Sequence, residues 1–188
     1  DIGYRPNCRE IPRSSLDPAW AQPHTTRDYY ALVTSLDEMM GRMLHKLEAL
    51  ALADNTIVVF AADHGDMLWS HGLLYKCVPY DESIRVPLLF RYPNGLPAGR
   101  ALDEPFGSVD LLPTLAGLAG WDMRGLAAVE GADRSDWLRG QPAAETADVA
   151  FSALYRPYVF REDFPVPVWR GLRTTRFTYT ETADRRPW

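Results

Sequence analysis

The chain has 188 residues, of which 46% are hydrophobic, and its 25 acidic and 20 basic side chains give a formal net charge of −5. This balance is typical of a globular domain, which excludes an intrinsically disordered chain and argues against a nucleic-acid-binding protein with a basic face. The two cysteines, Cys8 and Cys77, are too few for a disulfide framework, and no apolar run is long enough to span a membrane.

A long helix is the first regular element that the sequence predicts. Residues 1–25 are rich in proline, arginine and serine without periodicity, which indicates an extended N-terminal segment. Over residues 26–50 apolar side chains recur every three or four positions, as on one face of a helix capped by Thr25 or Thr26. We expect this apolar stripe to pack in the core. Its members are Tyr29, Leu32, Val33, Leu36, Met40, Met43, Leu44, Leu47 and Leu50.

Strands and shorter helices follow the long helix. The sequence predicts strands over residues 56–62 and 84–92, a helix over 108–118, a helical turn over 133–138, and strands over 149–155 and 168–180. The first strand is continuously apolar, which is typical of a parallel strand covered on both faces. Pro87 falls inside the second strand and therefore predicts an edge or a bulge. Pro113 suits the first turn of the second helix, and Gly120 suits its end.

The order of these elements predicts an α/β fold. We expect a partial mixed sheet flanked by helices, with a small antiparallel β subdomain at the C-terminal end of the chain. The chain is accordingly divided into an extended segment at residues 1–25, part of an α/β domain at residues 26–147 and part of the β subdomain at residues 148–188.

Two potential metal ligands, Asp63 and His64, stand side by side where the first predicted strand ends. At the end of a strand that turns into Gly65, both side chains can converge on one point, and ligands of open α/β sheets bind at such strand ends. A carboxylate oxygen and an imidazole nitrogen fit a divalent cation. The alternative is structural, with an aspartate that caps the loop and a histidine bonded to its own turn. Two ligands are too few to complete a metal site.

The loop after this strand carries two further groups that suit an anionic ester. The imidazole of His71 can act as an acid or a base, and Lys76 can hold an anionic oxygen as a point charge. Each of them can equally be an ordinary solvated loop residue. The sequence contains no Gly-x-Ser-x-Gly elbow, no glycine-rich dinucleotide loop and no Walker-type phosphate loop, which disfavours serine hydrolases, dehydrogenases and P-loop proteins.

Taken in order along the chain, several segments resemble the sulfatase family of the alkaline phosphatase superfamily. They are Tyr30-Ala31 to Leu36-Asp37 with Gly41, Asp54 to Phe60 followed by Asp63-His64-Gly65, His71-Gly72 to Lys76, Arg85-Val86-Pro87-Leu88, Val109 to Leu115 with Ala119-Gly120, and Trp169-Arg170 to Arg173-Thr174. The similarity is most specific between residues 29 and 120 and weaker up to residue 180. It implies an alkaline phosphatase-like or sulfatase-like α/β fold.

The resemblance assigns roles to four residues. It implies that Asp63 and His64 bind a divalent cation, usually calcium and in some relatives manganese, and that Lys76 contacts the sulfate ester. His71 matches a common His-Gly of the family and ranks below these three. The family's nucleophile is a formylglycine made within a Cys/Ser-x-Pro-x-Arg motif, and the segment that starts at Cys8 does not match this motif. We therefore expect the formylglycine to lie outside this chain, and the chain alone to be inactive.

The resemblance leaves other functions open. A phosphonate or phosphate ester hydrolase and a phosphoethanolamine transferase use the same scaffold, and a truncated hydrolase can also persist as a non-catalytic binding module. The expected partner is a small sulfate-ester substrate, with no nucleic acid and no membrane. The formation of a homo-oligomer, and the choice between a cytoplasmic and a periplasmic location, stay open.

Overall fold

The structure is a computed structural model that describes residues 23–123, 129–142, 149–156, 158–161 and 164–184. The helices are α1 (Pro23–Ala49), α2 (Asp81–Ile84), α3 (Leu111–Ala119) and α4 (Ser135–Arg139), with short 3-10 turns at Ala53–Asn55, Ser70–Gly72 and Ser108–Asp110. The strands are β1 (Val58–Ala61), β2 (Leu88–Arg91), β3 (Ala150–Leu154), β4 (Tyr158–Arg161), β5 (Phe164–Val166), β6 (Trp169–Arg173) and β7 (Thr178–Thr182). Helices combined with small sheets confirm the α/β class. The extended segment predicted before residue 23 lies outside the described residues.

Helix α1 is present, but its start and its packing differ from the prediction. It begins at Pro23, so Thr25 and Thr26 lie inside the helix and do not cap it. Leu32 and Met43, from the apolar stripe, are 66% and 61% exposed. The expectation that the whole stripe packs in the core is therefore wrong, because periodicity shows that a face is apolar and does not show what covers it. No helix in the described part of the chain is both long and apolar enough to cross a membrane.

Strand β1 has an antiparallel partner. It pairs with β2 in the register Val58 with Arg91 and Ala61 with Leu88, and β2 is its single partner among the described residues. The expected parallel pairing is thus wrong, because an apolar run indicates burial and carries no information on strand direction. Pro87 lies just before β2 and does not interrupt it. The observed strand therefore begins later than the predicted one.

Helix α3 follows the prediction closely, and a buried ion pair holds the segment after it. Gly120 ends the helix in the left-handed region at a φ of 68°. Just before the helix, the Asp110 carboxylate accepts hydrogen bonds from the backbone N–H groups of Gly107 (3.2 Å) and Ala132 (2.8 Å). Its Oδ2 lies 3.5 Å from the Nε of Arg134, and both side chains are more than 90% buried. Through these contacts Asp110 connects the start of α3 to the segment that precedes α4.

Replacing Asp110 with alanine is expected to lower the free energy of unfolding by about 3 kcal/mol, because the change removes the nearby negative charge from a buried guanidinium and leaves the backbone N–H groups of Gly107 and Ala132 without this acceptor. The matched control is Asp136→Ala. This carboxylate also pairs with an arginine, Arg139, at 3.3 Å, but it is 60% exposed. We expect the control to lower the free energy of unfolding by less than about 1 kcal/mol. Urea-induced unfolding monitored by circular dichroism measures both, and equal losses would contradict a special role for the buried pair.

The C-terminal strands form an antiparallel sheet in the order β3-β6-β7, which confirms the predicted antiparallel β subdomain. The single strand predicted over residues 168–180 is wrong, because a turn closed by hydrogen bonds between Thr174 and Phe177 divides it into β6 and β7. A separate antiparallel pair joins β4 and β5. The buried cluster connects this region to the loop that follows β1, since Met67 and Val78 from the loop pack with Val166 and Trp169. The division at residue 148 stays a prediction, although this shared cluster shows that the two parts are in contact.

Candidate active site

A glycine forces the turn at the end of β1. The N–H of Gly65 donates a 2.9 Å hydrogen bond to the carbonyl oxygen of Ser83. A Cβ atom at position 65 would lie 1.9 Å from the carbonyl oxygen of Glu82, so a residue with a side chain does not fit there. The close contact between the two backbones fixes the direction in which the chain leaves the strand. We call residues 63–80, which follow from this point, the site loop.

Asp63 and His64 lie side by side at the start of the site loop. The Asp63 side chain is 88% exposed, and its Oδ2 lies 3.6 Å from the Nε2 of His64. Its other oxygen, Oδ1, accepts a hydrogen bond of 2.9 Å from the backbone N–H of His64. The Nδ1 of His64 lies 2.8 Å from the carbonyl oxygen of Gly65. Because a carbonyl oxygen only accepts, Nδ1 is the donor in this bond, and Nε2 on the side of Asp63 is the nitrogen that can offer a lone pair whenever the ring is neutral.

This geometry fits a pair of neighbouring metal ligands. Two ligand atoms at right angles around a calcium-sized ion, each bonded at about 2.3–2.6 Å, are separated by about 3.3–3.7 Å. The 3.6 Å between Asp63 Oδ2 and His64 Nε2 falls in this range. A histidine ligand whose other nitrogen donates to a carbonyl oxygen is also the usual arrangement around metals. No group of three acidic, histidine or cysteine side chains suited to a metal occurs among the described residues.

The site loop is folded tightly onto itself with a strained backbone. Met67 N–H donates to the carbonyl oxygen of Tyr75 at 2.6 Å, and Trp69 N–H donates to that of Leu73 at 2.8 Å. Five residues of the loop other than glycine have a positive φ, and these are Leu68, Trp69, His71, Tyr75 and Cys77. Such residues are uncommon and cluster at functional sites, where surrounding contacts maintain them. The concentration of strain therefore supports a functional role for this loop.

The structure places Lys76 and His71 on this strained loop. Lys76 is partly buried and lies between Tyr75, with a φ of 64°, and Cys77, with a φ of 80°. The His71 ring stacks on that of Tyr80, with their centroids 4.1 Å apart and the planes within 14° of each other. The stack limits the orientations open to the imidazole. Catalytic roles for both residues stay predictions.

Side chains from the C-terminal sheet contact the site loop, and the sequence did not indicate these contacts. The indole Nε1 of Trp169 donates a hydrogen bond of 2.9 Å to the carbonyl oxygen of Cys77. The Nη1 of Arg173 lies 2.8 Å from the Oδ1 of Asp81, at the start of α2. The residue pattern alone favours a local ion pair for Asp81, and it fits Trp169, Arg170 and Arg173 equally well to the lining of a cleft and to an exposed strand face. By contrast, Arg170 is 72% exposed and pairs with Glu181 on the neighbouring strand.

Comparisons with known proteins give matches to family models, to curated proteins and to solved structures. The family model described as sulfatase matches residues 3–121, and one described as N-sulphoglucosamine sulphohydrolase, C-terminal, matches residues 69–185. The ulvan-active sulfatase of Formosa agariphila is 36% identical over 159 residues, which cover 83% of this chain and 30% of that protein. A solved structure described as being in complex with its substrate D-glucosamine-2-N,6-O-disulfate is 30% identical, with a TM-score of 0.72 over 86% of this chain and 32% of that one.

A third relative belongs to a neighbouring group of enzymes. The structure of a phosphonate monoester hydrolase from Silicibacter pomeroyi is 31% identical, with a TM-score of 0.69 over 82% of this chain and 32% of its own. The chain thus spans about a third of the relatives that it matches. Since the sulfatase model covers well over half of the 188 residues, the chain belongs to the sulfatase family.

Proposed function

We propose that this chain forms one side of the active site of a sulfuric ester hydrolase, in which Asp63 and His64 hold a divalent cation and Lys76 binds the sulfate group. The observation that carries the proposal is the 3.6 Å separation of Asp63 Oδ2 and His64 Nε2 at the end of β1. In a member of the sulfatase family, this donor pair is better explained by a metal than by a loop cap. The exposure of the Asp63 carboxylate leaves room for ligands from other segments.

Each residue has a distinct task in this proposal. A cation such as calcium or manganese, held by Asp63 and His64, would supply positive charge that polarises a sulfate oxygen. Asp63 provides the anionic oxygen ligand, while the bond from His64 Nδ1 to the Gly65 carbonyl oxygen holds the ring in the orientation that directs Nε2 to the same ion. Lys76 offsets the negative charge on a nonbridging or leaving oxygen of the ester, which is electrostatic stabilisation of the transition state.

His71 is the proposed proton carrier. Its stacking on Tyr80 restrains the ring, and its exposed position allows proton exchange with solvent or with a leaving oxygen. The nucleophile that attacks sulfur comes from a segment outside this chain and is proposed to be a formylglycine, as in other sulfatases. The first 22 residues, with Cys8, lie outside the described part of the structure.

Kinetics of the full-length protein that carries this sequence test the proposal. We expect hydrolysis of an aryl sulfate that is lost on treatment with a chelator and restored by calcium or manganese, because Asp63 and His64 require the ion. The isolated 188-residue chain, assayed in parallel, is expected to show no turnover above background. Metal-independent hydrolysis by the full-length protein, or turnover by the isolated chain, would refute the assignment. D-Glucosamine-2-N,6-O-disulfate is a suitable second substrate, since it is bound in a related structure.

A phosphonate monoester hydrolase is the second candidate function. The Silicibacter pomeroyi enzyme, with 31% identity and a TM-score of 0.69, specifically favours it. Parallel assays with an aryl sulfate and an aryl phosphonate separate the two functions, and a higher kcat/KM for the phosphonate would favour this candidate. Full-length protein without either activity would indicate a non-catalytic binding module.

A further inference from the structure

The backbone on both sides of Lys76 is held in an unfavourable conformation. Tyr75 and Cys77 have φ values of 64° and 80°, and neither is a glycine. The left-handed region is disfavoured for such residues, so without surrounding contacts the segment would relax and carry Lys76 away. The contacts that hold these two residues therefore determine where the lysine side chain begins.

The two carbonyl groups that flank Lys76 are each fixed by a hydrogen bond. The carbonyl oxygen of Tyr75 accepts a bond of 2.6 Å from the N–H of Met67, which belongs to the site loop. The carbonyl oxygen of Cys77 accepts a bond of 2.9 Å from the indole of Trp169, which belongs to β6 and is 92 residues away. Trp169 is thus the contact from the C-terminal sheet to the backbone that carries the lysine.

Trp169 is itself rigidly held. It is 4% exposed and packs with Met67 (1%) and Val78 (2%), so its ring has little freedom to move. Leu154, its partner in β3, covers it further. A donor fixed in this way can hold a strained carbonyl, whereas an exposed side chain would pay a larger entropic cost for the same bond.

We infer that Trp169 is a positioning residue for Lys76, which acts through the carbonyl of Cys77 and has no contact with the substrate. Lysine is a compact point charge without the planar fork that orients an arginine, so the position of its backbone helps to determine where the charge lies. This inference rests on the proposed function of Lys76. It gives the C-terminal sheet a part in catalysis that is distinct from substrate recognition.

The test uses Trp169→Phe in the full-length protein, which keeps an aromatic ring in the core and removes the N–H donor. We expect kcat/KM for an aryl sulfate to fall about tenfold, the effect of losing one hydrogen bond in a buried setting. Most of the loss is expected in kcat, and the calcium concentration for half-maximal activity is expected to stay unchanged, because Asp63 and His64 are not held by Trp169. The matched control is Arg170→Gln, at the next position of β6 with an exposed side chain, and it is expected to have wild-type kinetics.

A double-mutant cycle separates positioning from a general structural effect. In a Lys76→Met background, Trp169→Phe is expected to cause no further loss, because the group that it positions is absent. Losses that multiply in the double variant, or a single variant as active as the wild type, would overturn the inference. If Trp169→Phe does not fold, benzothienylalanine at position 169 removes the N–H while keeping the shape, and the same two outcomes apply.

Hydrogen exchange gives a readout that does not depend on activity. Amide exchange at Met67, whose N–H donates to the Tyr75 carbonyl oxygen beside Lys76, is expected to be faster in Trp169→Phe than in the wild type, and unchanged in Arg170→Gln. Unchanged exchange in both variants would also overturn the inference. A wild-type protein without turnover would refute the proposed function. Amide hydrogen exchange would still show whether Trp169 holds this segment, so failure of the proposed function and failure of the inference about Trp169 are distinguishable.

Discussion

Replacing Lys76 with methionine in the full-length protein is expected to lower kcat for an aryl sulfate by about a hundredfold to a thousandfold, the usual effect of losing one preorganised group that stabilises transition-state charge. Methionine keeps the length and the apolar stem but removes the ammonium. Arginine at this position is expected to restore little, since its planar group does not reproduce a compact charge from the same backbone position. Steady-state kinetics measure the effect, and thermal unfolding shows that the fold is kept.

The control for this variant is Lys46→Met, which removes the same charge from the exposed last turn of α1. It is expected to leave kcat unchanged. If Lys76→Met were as active as Lys46→Met, the sulfate-binding role of the site loop would be wrong. A higher KM with an unchanged kcat would show that Lys76 binds the ground state and the transition state equally, and that it does not specifically stabilise the transition state.

Replacing Asp63 with asparagine is expected to weaken calcium binding by more than about a hundredfold, because even residues that only support metal ligands contribute ten- to a hundredfold to affinity. Asparagine preserves the size of the side chain and its acceptor for the His64 N–H, while the anionic ligand is lost. Isothermal titration calorimetry of the full-length protein measures the affinity. Activity is expected to recover partly at high concentrations of calcium or manganese, as mass action requires.

Asp66→Asn is the matched control for the metal site. Asp66 lies three positions further along the site loop and accepts a hydrogen bond of 2.8 Å from the N–H of Leu68, a bond that the asparagine oxygen can also accept. The control therefore removes an equal charge without breaking the loop. Equal losses of calcium affinity in the two variants would show a general electrostatic effect and would contradict coordination by Asp63.

Local patterns predicted those parts of the fold that depend on neighbouring residues. Helix α1 and the end of α3 at Gly120 depend on contacts within a few positions, and the structure contains both. The antiparallel pairing at the C-terminal end was also predicted, since β6 and β7 are joined by a short turn. The same holds for Asp63 and His64, because adjacent residues at a strand end that turns at a glycine have little choice but to lie close together.

Long-range contacts were beyond what the sequence shows. The sequence pattern does not pair Asp81 with Arg173, or Trp169 with the carbonyl of Cys77, because each contact joins residues 92 positions apart. The direction of β1 relative to β2 and the exposure of the stripe on α1 also depend on the partners that cover them. The resemblance to sulfatases supplied the assignment of Lys76, one of two lysines in the chain, which the residue pattern alone left as either an anion-binding group or an ordinary solvated residue.

The left-handed residues of the site loop have a consequence for attempts to copy it. A synthetic peptide of residues 63–80 would lack the hydrogen bonds to the Ser83 carbonyl oxygen and from the Trp169 indole. Its five residues with positive φ would relax in water to ordinary extended conformers. An antibody raised against such a peptide would then recognise the unfolded chain better than the native protein. Grafting the loop into another scaffold would succeed only if an indole-like donor and a facing backbone carbonyl were transferred with it.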